Sequence, residues 1–233
     1  MISIRDLTRL PDVDHLRRLL QAMAMLDAIL SPEWECRYYS FNASWGSGEQ
    51  LGSMRNGSGE NFFALFNESG CWLKGFAHES LMAPIRQTPP AVWPGVIDQV
   101  PKEFSACLHE PAFDIEATTF CTWRRYDDSS WQVGPISFPT VADFPDLSSH
   151  PTIFADPDGS QELLSPLDGD PASYKTWADE YYFSDDEESH AANLAAVRAI
   201  YEWRPLTEDL VAMLNPDITL DDLMPDIIEI GYP

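Results

Sequence analysis

The amino-acid sequence predicts an α+β protein with a mostly antiparallel sheet in its N-terminal two thirds, flanked by an N-terminal helix and a helical, acidic C-terminal lobe. Three observations lead to this prediction: a leucine-rich helical stripe near the N-terminus, apolar runs paired across turn residues, and helical spacing late in the chain. At 233 residues the chain is near the upper length for one domain. We therefore expect a single domain over 1–233, with sub-lobes at 1–142 and 143–233.

The N-terminal helix is predicted over residues 12–30. Asp12 is a suitable capping residue, and Pro32 ends the pattern. Residues 34–42 then follow a period of two, which favours a strand, whereas 44–60 contain five glycines and are predicted to be a loop. The helical stripe consists of residues spaced by three and four: Leu16, Leu19, Leu20, Met23, Leu26 and Leu30.

Two β-hairpins are predicted next. Residues 61–66 and 71–77 are apolar and are separated by a turn that ends at Gly70, where we expect a positive φ. Residues 115–124 and 131–138 show the same alternation around a short polar turn. Together these segments predict at least five strands.

The last third of the chain is predicted to be helical. Four prolines mark residues 139–160 as a connector, and Asp170-Pro171 is typical of a helix start. An acidic run at 184–188 leads into a second helix, and Thr207 and Thr219 are expected to cap two more. Residues 227–230 are predicted to add an edge strand.

The charge of the chain is strongly negative and unevenly distributed. There are 38 acids and 14 bases, a net charge of -24; from Asp143 onward 21 acids face three bases, a net -18. Such a surface repels nucleic-acid phosphates and anionic membranes, so it favours a basic protein partner or a cation. The simpler alternative is that the charge keeps an aromatic-rich protein soluble. The residues expected to contact a basic partner include the acidic run Asp185, Asp186, Glu187 and Glu188.

The sequence predicts a cytoplasmic protein without a membrane anchor. The first twenty residues lack the apolar stretch of a secretory signal, and no apolar run is long enough to cross a bilayer. The four cysteines show no CxxC spacing, so we expect buried, reduced thiols. We expect no cofactor and no metal, and the sequence leaves the oligomeric state open.

Three short segments have features of binding sites, each with a simpler structural alternative. The glycine-rich segment 53–59 with Arg55 is suited to an anion, but no lysine or helix follows it, which favours a plain turn. His78 beside Glu79 is suited to acid–base or metal chemistry; adjacent strand residues point to opposite faces, which favours a packed or surface histidine. Residues 156–162 resemble a calcium loop but have Leu167 where the bidentate Glu belongs, so a turn is favoured over a calcium-stabilised fold.

The cluster formed by Trp123, Arg124, Arg125 and Tyr126, together with Trp131, has the strongest functional character. Arginine and aromatic residues dominate interface hot spots. The alternative, given equal weight, is that both arginines pair with nearby acids of the same hairpin.

A small-molecule site is the second functional hypothesis. It places a pocket between the sheet and the proline-rich segment 84–94, for a ligand-binding protein or a hydrolase. No G-x-S-x-G motif is present, so a non-enzymatic role is favoured. The residues assigned to this pocket are Trp93, Trp123, Trp131, Arg55 and His78.

Four stretches of the chain carry a resemblance to a known family: SMRNGSGENFFALFNESGCWLKGFAHES (53–80), WPGVIDQVPKEF (93–104), EPAFDIEATTFCTWRRYDDSSWQVG (110–134) and LDGDPASYKTWADEYY (167–182). In these stretches the chain resembles a family of uncharacterised bacterial cytoplasmic proteins of about this length. The resemblance covers nearly the whole chain and implies a cytoplasmic, non-enzymatic protein, with no catalytic residue to carry over. In acidity and aromatic content the chain is similar to immunity proteins of bacterial toxin systems, which neutralise basic nuclease toxins. We therefore expect a protein-binding module with an acidic surface.

Overall fold

The computed structural model of the protein describes residues 1–147, 149, 151–182 and 192–233. Within these residues the chain has the predicted α+β fold: one long helix, a five-stranded antiparallel sheet and further helices late in the chain. The strands are β1 (Tyr39–Gly46), β2 (Glu49–Arg55), β3 (Asn61–Asn67), β4 (Gly70–Phe76) and β5 (Phe120–Arg125). The helices are α1 (Val13–Leu30), α2 (Ser160–Leu164), α3 (Pro171–Tyr182), α4 (Leu194–Tyr201), α5 (Glu208–Ala212) and α6 (Met224–Ile230).

Helix α1 begins where the sequence predicts. The Asp12 side chain accepts a hydrogen bond from the His15 backbone N–H at 2.9 Å and so caps the first turn. The helix is buried along most of its length because the sheet covers one side and the late helices cover another. In the part of the chain that the structure describes, neither α1 nor any other helix is long and apolar enough to span a membrane.

The sheet follows the chain order β1-β2-β3-β4-β5, and every neighbouring pair is antiparallel. The predicted hairpin of β3 and β4 is confirmed, with Asn67 opposite Gly70. Gly70 has a φ of 148°, and a Cβ atom there would lie 2.1 Å from the carbonyl oxygen of Arg124. Glycine is therefore required where β4 meets β5.

Both faces of the sheet are buried, which explains the continuous apolar runs in β3 and β4. Phe62 and Phe66 face α1 and the late helices, whereas Phe63 and Trp72 face the other way. The second face is covered by irregular and 3-10 segments within 82–113. A strand that packs on both sides has no solvent-facing position that would require a polar residue.

The predicted loop over 44–60 is wrong for residues 44–46 and 49–55 and correct for the turns at 47–48 and 56–60. Strand β1 continues to Gly46, and residues 49–55 form β2. A Cβ atom on Gly52 would lie 2.8 Å from Leu20 Cδ1, so this glycine allows α1 to approach the sheet closely. The strand predicted over 34–42 also begins later than expected, at Tyr39, because Trp34–Cys36 forms a 3-10 turn.

The predicted second hairpin is only half correct. Residues 120–125 form β5, but 131–138 meet it through a single bridge between Trp123 and Gln132. Pro135 has no backbone N–H to continue a ladder. A Cβ atom on Gly134 would lie 1.9 Å from the carbonyl oxygen of Gly95, so the segment turns away to cross another loop.

The C-terminal predictions are partly confirmed. Asp170 caps α3 through the Ala172 N–H at 2.9 Å, and Thr207 caps α5 through the Leu210 N–H at 3.2 Å. The edge strand predicted at 227–230 is wrong, because these residues belong to α6, which has a proline in its first turn and ends at Gly231 with a φ of 70°. The helix expected after Thr219 begins only at Met224.

The cysteines are free thiols. Cys71, Cys107 and Cys121 are buried, as expected, and burial raises the pKa of Cys107 to about 12. Cys36 is exposed, so the expectation of burial is wrong for this residue.

A fully buried carboxylate, Asp27, joins α1 to β1 and α3. Its Oδ2 accepts the backbone N–H groups of Tyr38 at 3.0 Å and Tyr39 at 2.7 Å, and its Oδ1 accepts the Tyr174 hydroxyl at 2.6 Å. Burial raises the pKa of Asp27 to about 6, against the opposing effect of these hydrogen bonds.

Candidate functional site

A cavity of about 480 Å³ lies among the end of β4, the turn before β3 and the start of α2. We call it the acidic cavity. Four carboxylates and one histidine supply its charged lining: Glu60, Glu79, Asp156, Glu162 and His78. Two serines, Ser58 and Ser80, also contribute to its wall.

The glycine-rich turn at 56–60 positions Glu60. The Asn56 Oδ1 accepts the backbone N–H groups of Ser58 at 2.9 Å and Glu60 at 3.1 Å, which closes the turn. The Asn56 amide also donates to the Glu60 carboxylate, whose side chain is only 13% exposed. The turn therefore presents a carboxylate rather than an anion-binding nest, which agrees with the plain turn favoured by the sequence.

His78 and Glu79 reach the same cavity, so the expectation that they point to opposite faces is wrong. Strand β4 ends at Phe76, and both residues belong to the turn that follows it. The His78 Nδ1 makes a close polar contact with the Glu60 carboxylate, and the Nε2 lies 3.8 Å from Glu79 Oε1. Alternation of side chains is a property of extended strands and does not apply to a turn.

The aspartates of 156–162 hold α2 in place. Asp156 accepts the N–H groups of Gln161 at 3.1 Å and Glu162 at 3.2 Å, and Asp158 accepts that of Ser160 at 2.8 Å. These carboxylates serve as helix and turn caps, as the favoured turn interpretation implies. Among the residues that the structure describes, no group of three or more His, Cys, Asp or Glu side chains is arranged to hold a metal ion.

Asp158 is fully buried beside the acidic cavity, whose lining includes both Asp156 and Gly159. Burial raises the pKa of Asp158 to about 6, and the negative charge of Asp156 adds to this effect. In the described structure its Oδ2 has no hydrogen-bond partner. This buried carboxylate therefore adds a further negative charge close to the cavity at neutral pH.

The electrostatic character of the acidic cavity follows from this composition. Among the described residues its lining contains four carboxylates and neither a lysine nor an arginine, so the carboxylates dominate the charge of the cavity. Charges of one sign that line a concave site focus the local field and concentrate ions of the opposite sign. The cavity is therefore suited to a cationic group.

Arg55 lies apart from this cavity. Its guanidinium carbon is 5.9 Å from the centroid of the Trp34 ring and 5.6 Å from that of Phe63. It lines a smaller cavity of about 190 Å³ with Tyr38 and Tyr181. The structure does not place Arg55 with His78.

The Arg124–Tyr126 cluster packs against the first turn of α1. Arg125 forms an ion pair with Asp128 at 3.0 Å, and Arg124 donates to the Ser129 carbonyl oxygen at 3.4 Å. Tyr126 is 49% exposed, and its hydroxyl lies 3.4 Å from Asp14 Oδ1. Of the two arginines, Arg125 therefore pairs with an acid of its own hairpin, as the structural alternative predicts. Beside this segment the Trp131 indole donates to the Pro11 carbonyl oxygen at 2.7 Å.

The three tryptophans of the hypothetical small-molecule pocket have structural contacts. Trp123 and Trp131 are buried, and the Trp93 indole donates to the Ser137 carbonyl oxygen at 2.9 Å. The space on this side of the sheet is filled by a second core cluster that includes Phe104 and Phe113. The structure does not bring the five residues of this hypothesis into one cavity.

The acidic run Asp185, Asp186, Glu187 and Glu188 lies outside the described residues. Glu60 and Glu162 were not among the candidate site residues, although both line the acidic cavity. No local motif marks Glu60, and Glu162 belongs to the calcium-like segment 156–162; the two are about one hundred positions apart and come together only in the fold. Comparison with protein-family models, curated proteins and solved structures found no match.

Proposed function

We propose that this protein is a non-enzymatic, cytoplasmic binding module that recognises a basic partner protein, in the manner of an immunity protein. The acidic cavity is the observation that carries the proposal. It offers four carboxylates around a space of about 480 Å³, large enough for a lysine or arginine side chain of the partner.

The wider charge distribution supports this proposal. Residues 143–233 carry -18, and two of their three bases already pair with acids: Lys175 with Asp179, and Arg204 with Glu202 at 2.6 Å. The field outside the cavity therefore has the same sign as the field inside it. Such complementarity speeds the encounter with a basic partner and makes association dependent on salt.

Exposed carboxylates of the cavity allow a direct test. Glu79 and Glu162 are exposed, so the double variant E79Q/E162Q removes two charges with little effect on folding. E33Q/E116Q is the matched control, because Glu33 and Glu116 are exposed and lie outside the cavity lining. Immobilised protein is incubated with a lysate of the source organism at low and high salt, and retained proteins are identified by mass spectrometry.

We expect wild type and E33Q/E116Q to retain the same basic protein at low salt, and E79Q/E162Q to lose most of it. High salt should weaken retention for every variant. Retention of no specific protein at low salt contradicts the proposal. So does a captured partner that binds both double variants equally, because the cavity would then not contribute.

A further inference from the structure

A second cavity, of about 400 Å³, lies between the first turns of α1 and the end of α4. We call it the aromatic cavity. Its walls are largely apolar and are formed by Pro11, Leu19, Tyr201 and Trp203. Its volume is within the range of small-molecule sites, which combine apolar walls with a few polar groups.

Trp203 is held in an unfavourable backbone conformation at the edge of this cavity. Its φ is 59°, in the left-handed region that non-glycine residues rarely adopt. The indole N–H donates to the Arg18 carbonyl oxygen at 3.1 Å, and the ring packs against Tyr232 with centroids 5.6 Å apart. These contacts fix the aromatic wall in place, and such strain is concentrated at binding sites.

The carboxylates around the aromatic cavity are already engaged. Asp12 accepts the backbone N–H of His15 at 2.9 Å and lies 2.8 Å from its ring Nδ1. Glu202 accepts two hydrogen bonds from Arg204, at 2.9 and 2.6 Å. Neither carboxylate pairs with Arg18.

Arg18 therefore supplies an available positive charge at this cavity. It is exposed, and its guanidinium carbon lies 5.5 Å from the centroid of the Trp203 ring. No carboxylate of the described residues lies within 4.0 Å of its guanidinium nitrogens. A guanidinium beside an aromatic wall is suited to a planar anion, since it binds carboxylates through paired donors.

We propose that the aromatic cavity binds a small aromatic carboxylate. The ring of the ligand packs against Trp203 and Tyr201, and its carboxylate pairs with Arg18. This site is separate from the acidic cavity, with which it shares no lining residue, and it takes a ligand of the opposite charge.

Indole-3-carboxylate is a suitable probe, followed by ¹⁵N NMR of the indole N–H groups. The chain has eight tryptophans, and the signal missing from W203F identifies that of Trp203. We expect a saturable shift of this signal with a Kd near or below about 1 mM. The neutral indole-3-carboxamide and the non-aromatic cyclohexanecarboxylate should each bind at least about tenfold more weakly, because each lacks one of the two required groups.

Two neighbouring arginines provide the matched variants. R18Q should weaken binding of the probe at least about tenfold, the loss expected for one charge-assisted pair. R17Q should bind like wild type, because Arg17 pairs with Asp14 at 2.8 Å and lies outside this cavity. Absence of saturable binding to wild type overturns the proposal, as does equal binding of the carboxylate and the carboxamide, or an equal effect of R17Q and R18Q. The comparison of probes uses wild-type protein and so does not depend on the folding of any variant.

Discussion

The acidic cavity and the aromatic cavity use charge in opposite ways. In the acidic cavity the described lining residues include four carboxylates and no arginine or lysine. In the aromatic cavity both carboxylates have partners, whereas the guanidinium of Arg18 contacts the Trp203 ring and has no carboxylate partner among the described residues. The net charge of -24 thus predicts the negative charge of the acidic cavity but not the available positive charge of the aromatic cavity.

The two cavities also differ in how they are built. Turns and the start of α2 form the acidic cavity: the Asn56 side chain accepts the Glu60 backbone N–H, and Asp156 accepts the Gln161 backbone N–H. Ends of helices form the aromatic cavity, and a strained tryptophan holds its wall. We therefore expect local turn variants to affect the first cavity and side-chain truncations to affect the second.

The largest expected effect concerns α1, which carries the aromatic cavity at its first turns and Asp27 near its end. D27A leaves the N–H groups of Tyr38 and Tyr39 and the Tyr174 hydroxyl without their buried acceptor. We expect the free energy of unfolding to fall by about 3 kcal/mol or more. D27N retains an acceptor for both N–H groups, and chemical denaturation should show a loss of no more than about 1 kcal/mol. Equal losses in the two variants would contradict this expectation, because the acceptor that Asn retains would then contribute nothing to stability.

The next effect is a pH dependence from the two buried aspartates. Burial raises the pKa of both Asp27 and Asp158 to about 6, from an ordinary value of 3.8, so the folded state binds each proton more tightly than the unfolded state. Each protonated aspartate therefore contributes to the free energy of unfolding at about pH 4. This contribution, up to about 3 kcal/mol for each residue, is lost as pH rises to about 6. Denaturation curves across this range should show the fall.

Variants separate this effect from the general repulsion of an acidic chain. D27N and D158N should each show a smaller decrease in unfolding free energy than wild type over the same pH range. D158N should also be more stable than wild type at neutral pH, because Asp158 Oδ2 carries charge without a hydrogen-bond partner in the described structure. An unchanged pH profile in both variants would show that neither carboxylate has a raised pKa.

The fold class and the best-defined elements could be predicted from local sequence. The leucine stripe and Asp12 predict α1, and the paired apolar runs around Gly70 predict the β3 and β4 hairpin. Strand β2 was missed because glycines usually indicate loops. Gly52 is instead a position where Leu20 of a distant helix contacts the strand, and such contact is not visible in a local pattern.

The sites were less predictable than the fold. His78 was a candidate from its neighbour Glu79, but the reason for rejecting their cooperation assumed a strand that ends two residues earlier. Glu60, Arg18 and Trp203 had no motif at all, and Glu162 was noted only as the last residue of the calcium-like segment 156–162. Each becomes part of a cavity only when segments far apart in sequence pack together, so burial and charge pairing had to be seen in three dimensions.

N56A, a variant of intermediate effect, tests whether partner binding at the acidic cavity depends on the turn at 56–60. N56A removes the acceptor of the Ser58 and Glu60 N–H groups, and we expect a loss of about 1–2 kcal/mol of stability together with weaker partner retention. N67A is the matched control, because Asn67 accepts the Ser69 N–H at 2.8 Å in a turn outside the cavity lining. Thermal melts should show similar losses for both variants, and only N56A should reduce partner retention. If N67A reduces retention equally, stability rather than the shape of this turn controls binding.

The smallest expected effect concerns the wall of the aromatic cavity. W203F keeps an aromatic ring at the strained position but removes the indole N–H that donates to the Arg18 carbonyl oxygen, so we expect a loss of about 1 kcal/mol in unfolding free energy. W34F is the control, because Trp34 is 50% exposed and lies outside this cavity; its stability should change by less than about 0.5 kcal/mol. The probe carboxylate should bind W203F more weakly than W34F, because the ring is no longer held against Arg18. Binding of wild-type strength to W203F would show that the hydrogen bond stabilises the fold but does not position the wall for a ligand.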